Sequence, residues 1–285
     1  MEKLETLAQY KEMLSKYRKI CRNGYSNNYL SFEAIKRYIS LNRIYFDTAE
    51  NYFMIYTDEE KYYRAYVYMN QETKLHIKKM DKPILIRTIY KKDDKLDLIL
   101  LLEKMLREQQ FELYDKIVQI CAKPLEMKEE VTRKLEKAQL FLKRAGIYLD
   151  YACAHNIPEI MSLKKEEEAL KDYHFLYETE DEIKENVERG YYRCAFNMNG
   201  EICAAQQFSV ENYAVQGNWL AVKEQYKIRY GIGYAMAYHS FMYAIEHDIP
   251  NYFGWVACNN EKSLKYHREI GYEITDKYSD EWVLI

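Results

Sequence analysis

Apolar residues recur along the chain at spacings that predict alternating helices and strands. Residues 2–21 place apolar side chains three to four positions apart, which is the period of a helix. Further helices are predicted over 31–40, 96–109 and 126–144. Strands are predicted over 51–56, 62–69, 83–90, 117–121 and 147–152. Helices interleaved with strands in this way indicate an α/β or α+β fold built on a mixed sheet.

The same kind of pattern begins again after residue 157. Helices are predicted over 158–171, 181–188, 233–247 and 260–269. Strands are predicted over 191–198, 201–210, 216–222 and 252–258, with a closing hairpin of 272–274 and 281–285. Asn199-Gly200 separates two of these strands and is a strong hairpin signal.

Two helices that run into strands share one spacing of residues, at an offset of 125 positions. The two sets are Ala138, Leu142 and Gly146, and Ser263, His267 and Gly271. Together with the repeated order of elements, this match predicts two related domains. We therefore expect tandem domains at 1–150 and 151–285, each a twisted mixed sheet flanked by helices.

Composition agrees with a folded chain of two domains and limits the classes of partner that the chain can be expected to bind. The chain has 285 residues, of which 48% are hydrophobic and 31% charged. That length is natural for two domains and long for one. The net charge of −3 does not favour a general phosphate-backbone binder. We expect no nucleic-acid partner, and a monomer or a homodimer.

The cysteines and the first residues bear on compartment and on metal binding. Six cysteines are scattered without CxxC spacing, which predicts reduced thiols, no metal site and a cytoplasmic location. The acidic beginning has no apolar core of a secretory signal, and no apolar run reaches bilayer length. We therefore expect no membrane association.

Glycine is concentrated in the second half, where seven of the nine lie between Gly190 and Gly271. Gly231 and Gly233 stand between a predicted strand and a predicted helix, after a polar loop with Lys227 and Arg229. A helix N-terminus has free N–H groups, and glycines before it let a phosphate approach them. The segment is thus built like a pyrophosphate cradle. Alternatively, the glycines only shape a connection between strand and helix.

A second segment, 255–272, carries polar residues at helical spacing. Asn260 is a good N-cap residue, and the helix after it ends at Gly271. Ser263 and His267 lie four residues apart and so share one face of that helix. A well-capped structural helix would show the same spacing.

Taken together, the two segments resemble the signature segments of the GNAT acyltransferase superfamily. The shared pattern is Leu-Ala-Val before Gly-x-Gly, then a helix and a strand, then Asn-x-x-Ser-x-x-x-His-x-x-x-Gly-Tyr. The resemblance covers residues 157–285 and is strongest over 216–274. It implies a domain that binds acetyl-CoA, or another acyl-CoA, as co-substrate.

The resemblance also assigns roles to residues. Strand residues pair with the pantetheine arm, the glycine loop wraps the pyrophosphate, and the later helix completes the site. The residues so implied are Leu220, Ala221, Val222, Lys227, Ile228, Arg229, Tyr230, Gly231, Ile232, Gly233, Tyr234, Asn260, Ser263 and His267. Two departures stand out. Ile228 replaces the usual Arg or Gln of the loop, and the loop is one residue longer than usual.

Transfer of an acyl group to an amine requires proton transfer as well as binding. A lysine-like amine with a pKa near 10.4 is almost wholly protonated at pH 7, so a base must remove its proton. Glu211 and His239 are the candidate bases. The resemblance places His267 near the thioester sulfur, where a protonated imidazole can assist the departing thiolate.

The first half has no comparable loop, since no glycine occurs between Pro83 and Gly146. We expect it to be a degenerate GNAT-like domain. The predicted function is transfer of an acetyl or short acyl group from acyl-CoA to a primary amine of a small molecule or peptide, by direct attack in a ternary complex. Two alternatives stay open: a tandem-domain peptide transferase that uses aminoacyl-tRNA, and a non-catalytic module that binds acyl-CoA.

Overall fold

The computed structural model describes residues 1–20, 24–92, 97–170, 173, 176–227 and 231–285. They form two compact units. Unit 1 comprises Met1–Val118, Phe175–Tyr177 and Asp276–Ile285, and unit 2 comprises Gln119–His174 and Glu178–Thr275.

The first part of the chain forms seven strands and three α-helices among the described residues. The strands are β1 (Glu2–Lys3), β2 (Tyr25–Ser26), β3 (Ile44–Thr48), β4 (Tyr52–Asp58), β5 (Tyr63–Met69), β6 (Ile84–Lys91) and β7 (Glu112–Ala122). The helices are α1 (Leu7–Ile20), α2 (Phe32–Ser40) and α3 (Asp97–Glu108).

The rest of the chain forms six strands and five α-helices among the described residues. The helices are α4 (Lys128–Arg144), α5 (Ile157–Leu170), α6 (Glu180–Glu188), α7 (Ile232–Glu246) and α8 (Glu261–Ile270). The strands are β8 (Ile147–Tyr151), β9 (Tyr192–Asn197), β10 (Ile202–Glu211), β11 (Ala214–Val222), β12 (Asn251–Ala257) and β13 (Glu273–Leu284).

The sheet of unit 1 has the order β1-β3-β4-β5-β6-β13, with β2 beside β5. All of these pairs are antiparallel except β5 with β6. Alternation along β4 separates two layers of core, because successive side chains point to opposite faces. Phe53 and Ile55 pack with residues of α1 and α2, whereas Met54 and Tyr56 pack with residues of α3.

The sheet of unit 2 has the order β7-β12-β11-β10-β9-β8. The pairs β8–β9, β9–β10 and β10–β11 are antiparallel, and β11–β12 is parallel. Tyr192 and Cys194 of β9 pack with α5 and α6 on one face. Ala195, the next residue, packs with α4 and α7 on the other face.

The two units repeat one order of elements. Along the chain, two helices precede three antiparallel strands, a strand parallel to the third follows, and a helix then runs into a last strand, which is β7 after α3 and β13 after α8. The second copy has the additional helix α7 between β11 and β12. The last helices, α3 and α8, end in the same way, with a left-handed residue at Gln110 (φ 67°) and Gly271 (φ 114°). The closing bonds run from Phe111 N–H to the carbonyl of Leu106, 3.0 Å, and from Tyr272 N–H to that of His267, 2.9 Å.

The predicted pairing of 138–146 with 263–271 is therefore wrong in register, although the repeat itself is present. The helix of unit 1 that corresponds to α8 is α3, at an offset of 161 positions between Gln110 and Gly271. The match was misleading because helix α4 belongs to unit 2.

The compact units also do not divide at the predicted boundary of 150/151. Unit 2 begins at Gln119, because α4 packs on α7: Val131 and Leu135 share a core cluster with Tyr238 and Phe241. Burial of these apolar side chains ties 119–150 to the second half of the chain.

The predicted closing hairpin is replaced by one strand of 12 residues, β13. Residues Lys277 to Leu284 pair continuously with Lys91 to Ile84 of β6, so the end of the chain completes the sheet of unit 1. Trp282 is buried there among the core residues of that unit. In the described part of the chain, no helix combines the length and the apolar character needed to cross a membrane.

Replacing Trp282 with alanine tests whether β13, the last strand of the chain, belongs to the sheet of unit 1. Trp282 is 1% exposed and lies 4.8 Å from the guanidinium of Arg107. We expect the substitution to cost unit 1 about 3–5 kcal/mol of unfolding free energy, since it leaves a large cavity. Hydrogen exchange should accelerate in β4–β6. Acceleration confined to β9–β11 would contradict the assignment of Trp282 to unit 1.

Replacing Gly271 with alanine tests the end of α8. An alanine there would have to keep an unfavourable backbone at φ 114°, and its Cβ would displace the flexible end of the Met127 side chain. Gly200 is the matched control, because it is also left-handed (φ +80°) but faces open space among the described residues. Strain alone costs about 1–2 kcal/mol. Urea unfolding should show a larger loss for Gly271→Ala than for Gly200→Ala, because φ 114° lies further than φ 80° from the left-handed conformation that L residues adopt, and equal losses would contradict this.

Candidate active site

Two parallel strands of unit 2 diverge and leave a cleft between them. Strands β11 and β12 pair only at Ala214 to Gln216 with Asn251 to Phe253. Both strands are described in full, and they continue to Val222 and Ala257 without further pairing to each other. Beyond Gly217, the edge of β11 that faces β12 has no neighbouring strand among the described residues, so its backbone groups need other partners such as water or a ligand.

A bulge in β11 lies at the point of divergence. Gln207 of β10 pairs with Trp219 and Phe208 pairs with Gly217, so Asn218 is an extra residue in β11. A bulge bends its strand and increases the local twist, which accounts for the separation from β12. Gly217 allows close packing here, because a Cβ would lie 3.0 Å from the ring of Tyr252, nearer than an ordinary van der Waals contact.

The N-terminus of α7 follows the open end of β11. Its N-cap, Gly231, has a left-handed backbone (φ 61°), and no side chain of the described residues caps the helix. A Cβ at Gly231 would meet no described atom within 4 Å, and the first turn contains no acidic residue. Among the described residues, no side chain therefore competes for the first N–H groups of α7, and these groups together with the positive end of the helix dipole can bind an anion.

The rest of the predicted loop is less informative. Ile228, Arg229 and Tyr230 lie outside the described residues. Lys227 is described, and its ammonium lies 2.9 Å from the carboxylate of Glu224 at an exposed position. An exposed pair of this kind contributes little to stability and leaves the lysine able to change partners.

Gly233 has a different role from that of Gly231. The hydroxyl of Tyr266 donates a hydrogen bond of 2.6 Å to the Gly233 carbonyl, and a Cβ at Gly233 would lie 3.3 Å from the same hydroxyl. The ring of Tyr234 also packs edge-on against that of Tyr266, with centroids 4.9 Å apart. Glycine at 233 therefore permits close packing of α7 on α8, and no phosphate needs to be invoked for it.

Helix α8 begins as the sequence predicts. The side chain of Asn260 accepts a hydrogen bond of 3.0 Å from the Ser263 N–H and so caps the helix. The capping bond uses only the amide oxygen of Asn260. Its amide nitrogen still has donors for another partner.

His267 is held in one tautomer by its own helix. Its Nδ1 lies 2.7 Å from the carbonyl oxygen of Ser263 and 3.3 Å from the Ser263 hydroxyl. A carbonyl only accepts, so Nδ1 carries the hydrogen and Nε2 keeps its lone pair in the neutral ring. Burial lowers the pKa of His267 below the ordinary value, against the opposing effect of the bond to Ser263. The resting imidazole is neutral at pH 7.

The structure brings neither predicted base beside the cleft. Glu211 is exposed at the β10–β11 hairpin and pairs with Ala214, three positions and about 10 Å along the strand from Gly217. His239 packs edge-on against the ring of Tyr151 on β8, at the opposite edge of the sheet order. Burial, with the charge of Arg193, lowers the pKa of His239 to about 4.

Sequence reasoning missed a polar group on the face of the sheet that carries α5 and α6. Asn218 donates a hydrogen bond of 2.6 Å to Gln207. The indole N–H of Trp219 and the hydroxyl of Tyr192 are buried without a partner among the described residues. Only the alternation along β9–β11 could have placed these side chains on one face, and the bulge at Asn218 changes that alternation.

The described residues contain no group of three or more His, Cys, Asp or Glu side chains that could hold a metal ion. No protein-family model matches the sequence, and no curated protein matches it. Comparison with known proteins therefore depends on solved structures.

Several solved structures share the fold over most of their length. A GCN5-related N-acetyltransferase from Sphaerobacter thermophilus has a TM-score of 0.57 at 10% identity, with 90% of this chain and 86% of that chain covered. A GNAT-family acetyltransferase from Colwellia psychrerythraea has a TM-score of 0.52 at 10% identity, with 100% and 99% covered.

A third similar structure has the tandem arrangement. It is a tandem GNAT protein from the clavulanic acid biosynthesis pathway, with a TM-score of 0.50 at 8% identity and 85% and 83% of the two chains covered. Similarity at such low identity establishes the fold and not the substrate. The predicted architecture is confirmed: the chain has the fold of the GNAT acetyltransferases, in a tandem form.

Proposed function

We propose that unit 2 binds acyl-CoA and transfers its acyl group, most simply acetyl, to a primary amine of a small molecule or peptide. The observation that carries the proposal is that α7, the next α-helix after β11, begins without a side-chain cap among the described residues, while β11 has separated from β12. A helix terminus of this kind suits the pyrophosphate of a coenzyme. The free backbone edge beside it suits an extended arm with amide groups.

Different groups of unit 2 would bind different parts of the coenzyme. The N–H groups of Ile232 and Gly233 would hold phosphate oxygens, and Lys227 would supply a mobile positive charge. The backbone of Leu220 to Val222 would pair with the amides of the pantetheine arm. Asn260 would contribute its free amide nitrogen. Such an arrangement would place the acyl group near the bulge at Asn218, where the cleft closes.

The reaction requires a proton to leave the amine and a proton to reach the departing thiolate. The only carboxylate on β9–β12 is Glu211, which lies away from the cleft. His267 is neutral at rest, so it can donate to a thiolate only after it has gained a proton. The ammonium form first releases one proton to solvent, and the neutral amine then attacks. We therefore assign both remaining steps to His267: Nε2 takes the second proton from the attacking nitrogen and delivers it to the sulfur as the C–N bond forms and the C–S bond breaks.

Gly231→Asp and Gly231→Asn form a matched pair that tests the anion site. Both residues tolerate a left-handed backbone and cap helices, so both variants should fold. The aspartate places a negative charge where the pyrophosphate would bind. We expect isothermal titration with acetyl-CoA to give at least a tenfold weaker affinity for Gly231→Asp than for Gly231→Asn.

Thermal melting supplies the control for this pair. Acetyl-CoA at a hundred times its dissociation constant should stabilise wild-type unit 2 by about 2.7 kcal/mol, or a melting shift of roughly 5–10 °C. Equal affinities of the two variants would exclude the α7 terminus as the anion site. A wild-type melting curve indifferent to millimolar acetyl-CoA would count against coenzyme binding altogether.

His267→Phe tests the proton relay, with His247→Phe as the matched control. His247 makes the same bond from Nδ1 to a carbonyl four residues back, that of Tyr243 at 2.9 Å, but lies at the other end of α7. We expect kcat to fall by about 10²–10⁴ in His267→Phe only. The dissociation constant of acetyl-CoA should be unchanged in both variants.

The pH dependence distinguishes a relay from a structural role. Since the neutral ring is the active form and burial lowers its pKa, wild-type kcat/KM should rise with pH through a midpoint below 6.5. His267→Phe should lack this acidic limb. An unchanged limb, or a normal kcat in the folded variant, would rule out the relay. Binding of acetyl-CoA without turnover of any amine would favour a non-catalytic module.

A further inference from the structure

Unit 1 contains the same divergence of parallel strands as unit 2. Strands β5 and β6 pair only at Tyr63 to Ala65 with Ile84 to Ile86, although they continue to Met69 and Lys91. Both strands are described in full. Their separated ends require partners for the inward-facing backbone groups, as do those of β11 and β12.

In unit 1 these partners come from the chain itself. Strand β2 pairs with the separated end of β5, with Tyr25 opposite Met69 and Ser26 opposite Tyr68. It is short, and the residue after it, Asn27, is 4% exposed. The segment Tyr25–Asn27, here called the strap, thus runs along the edge of β5 that faces β6.

Asn27 bridges the two separated strands with its side-chain amide. The oxygen accepts a hydrogen bond of 2.7 Å from Val67 N–H of β5. The nitrogen donates to the carbonyl of Arg87 on β6 at 2.7 Å and to that of Ala65 on β5 at 3.4 Å. One carboxamide therefore satisfies backbone groups of both strands.

Tyr25 makes a second link from the strap to β6. Its hydroxyl accepts a hydrogen bond of 3.2 Å from Ile89 N–H, and its ring is buried in the core of unit 1. Burial raises the pKa of Tyr25 to about 12, so the hydroxyl stays neutral over the physiological range. Tyr25 and Asn27 are two residues apart and point to the same side, as expected for a strand.

The segment after β5 lacks the rest of a coenzyme site. Residues 70–83, all of which the structure describes, form no helix and contain no glycine. Unit 2 has the Gly231 cap and α7 between the corresponding strands. Unit 1 therefore has no helix N-terminus for a pyrophosphate at this place.

We infer that the strap is a built-in occupant of the unit 1 cleft: its strand and the Asn27 carboxamide take the hydrogen-bonding groups that unit 2 leaves open for an amide-containing ligand. Unit 1 consequently binds no acyl-CoA, and one chain carries one coenzyme site. The inference about the strap stands on the contacts of unit 1, and only the ligand assigned to unit 2 rests on the proposed function.

Asn27→Asp tests the strap with little change of size. A carboxylate still accepts from Val67 N–H but cannot donate to the carbonyls of Ala65 and Arg87, which it repels. Ser26→Ala is the local control, because it removes only the exposed Ser26 hydroxyl, which accepts a hydrogen bond of 3.0 Å from Asn28 N–H, and leaves the three bonds of Asn27 intact. Because repulsion from these two carbonyls displaces the strap from both strands, we expect hydrogen exchange at Val67 and Ile89 to accelerate at least tenfold in Asn27→Asp and to stay unchanged in Ser26→Ala.

The same exchange measurement on the wild-type chain, with and without coenzyme A, completes the test. We expect β5 and β6 to be protected equally in both conditions, and native mass spectrometry to show one coenzyme A per chain. The inference about the strap would be overturned by coenzyme-dependent protection of β5 or β6, or by two bound molecules per chain. Hydrogen exchange in Asn27→Asp at the wild-type rate would overturn it as well. If no coenzyme A binds anywhere, the proposed function fails, and the Asn27→Asp result alone decides the strap.

Discussion

The structure depends on a parallel pair of strands that stays together for only three residues in each unit. Past that point the inner backbone edges have no neighbouring strand, and each must find other hydrogen-bonding partners. Unit 1 solves the problem with its own strap, through Asn27 and Tyr25. Unit 2 leaves the edge of β11 open next to a helix N-terminus with no cap among the described side chains. The same strand geometry therefore gives a closed, structural unit in one case and a candidate binding cleft in the other.

Much of the fold could be predicted from residue spacing, because buried faces impose a period of 3.6 or 2 on the sequence. The failures have physical causes. Gln110 occupies a left-handed position that glycine usually fills, so the true counterpart of Gly271 was not recognised. The β10–β11 hairpin turns at Asn212 and Tyr213, which both adopt positive φ although neither is glycine. Its sequence therefore does not show the glycine that usually marks such a turn. The exchange of β13 into unit 1 is a long-range pairing, which no local pattern can reveal.

The candidate site was predictable where backbone chemistry dictates residue type and less so where packing does. Gly231 and Asn260 have the roles in helix ends that their residue types indicate. The role of Gly233 depends on the close packing of Tyr266, a tertiary contact that the spacing of glycines does not show. The tautomer of His267 depends on the Ser263 carbonyl, and the distance of Glu211 and His239 from the cleft depends on the order of strands. Each of these requires the assembled sheet.

We propose that one chain holds one coenzyme, between β11 and β12. A crystal structure of the full chain with coenzyme A tests it most directly. We expect density for the pyrophosphate within hydrogen-bonding distance of the N–H groups of Ile232 and Gly233, with the pantetheine arm along Leu220 to Val222. We also expect the strap in place between β5 and β6. Coenzyme density between β5 and β6, or a bound coenzyme that avoids the N-terminus of α7, would contradict it.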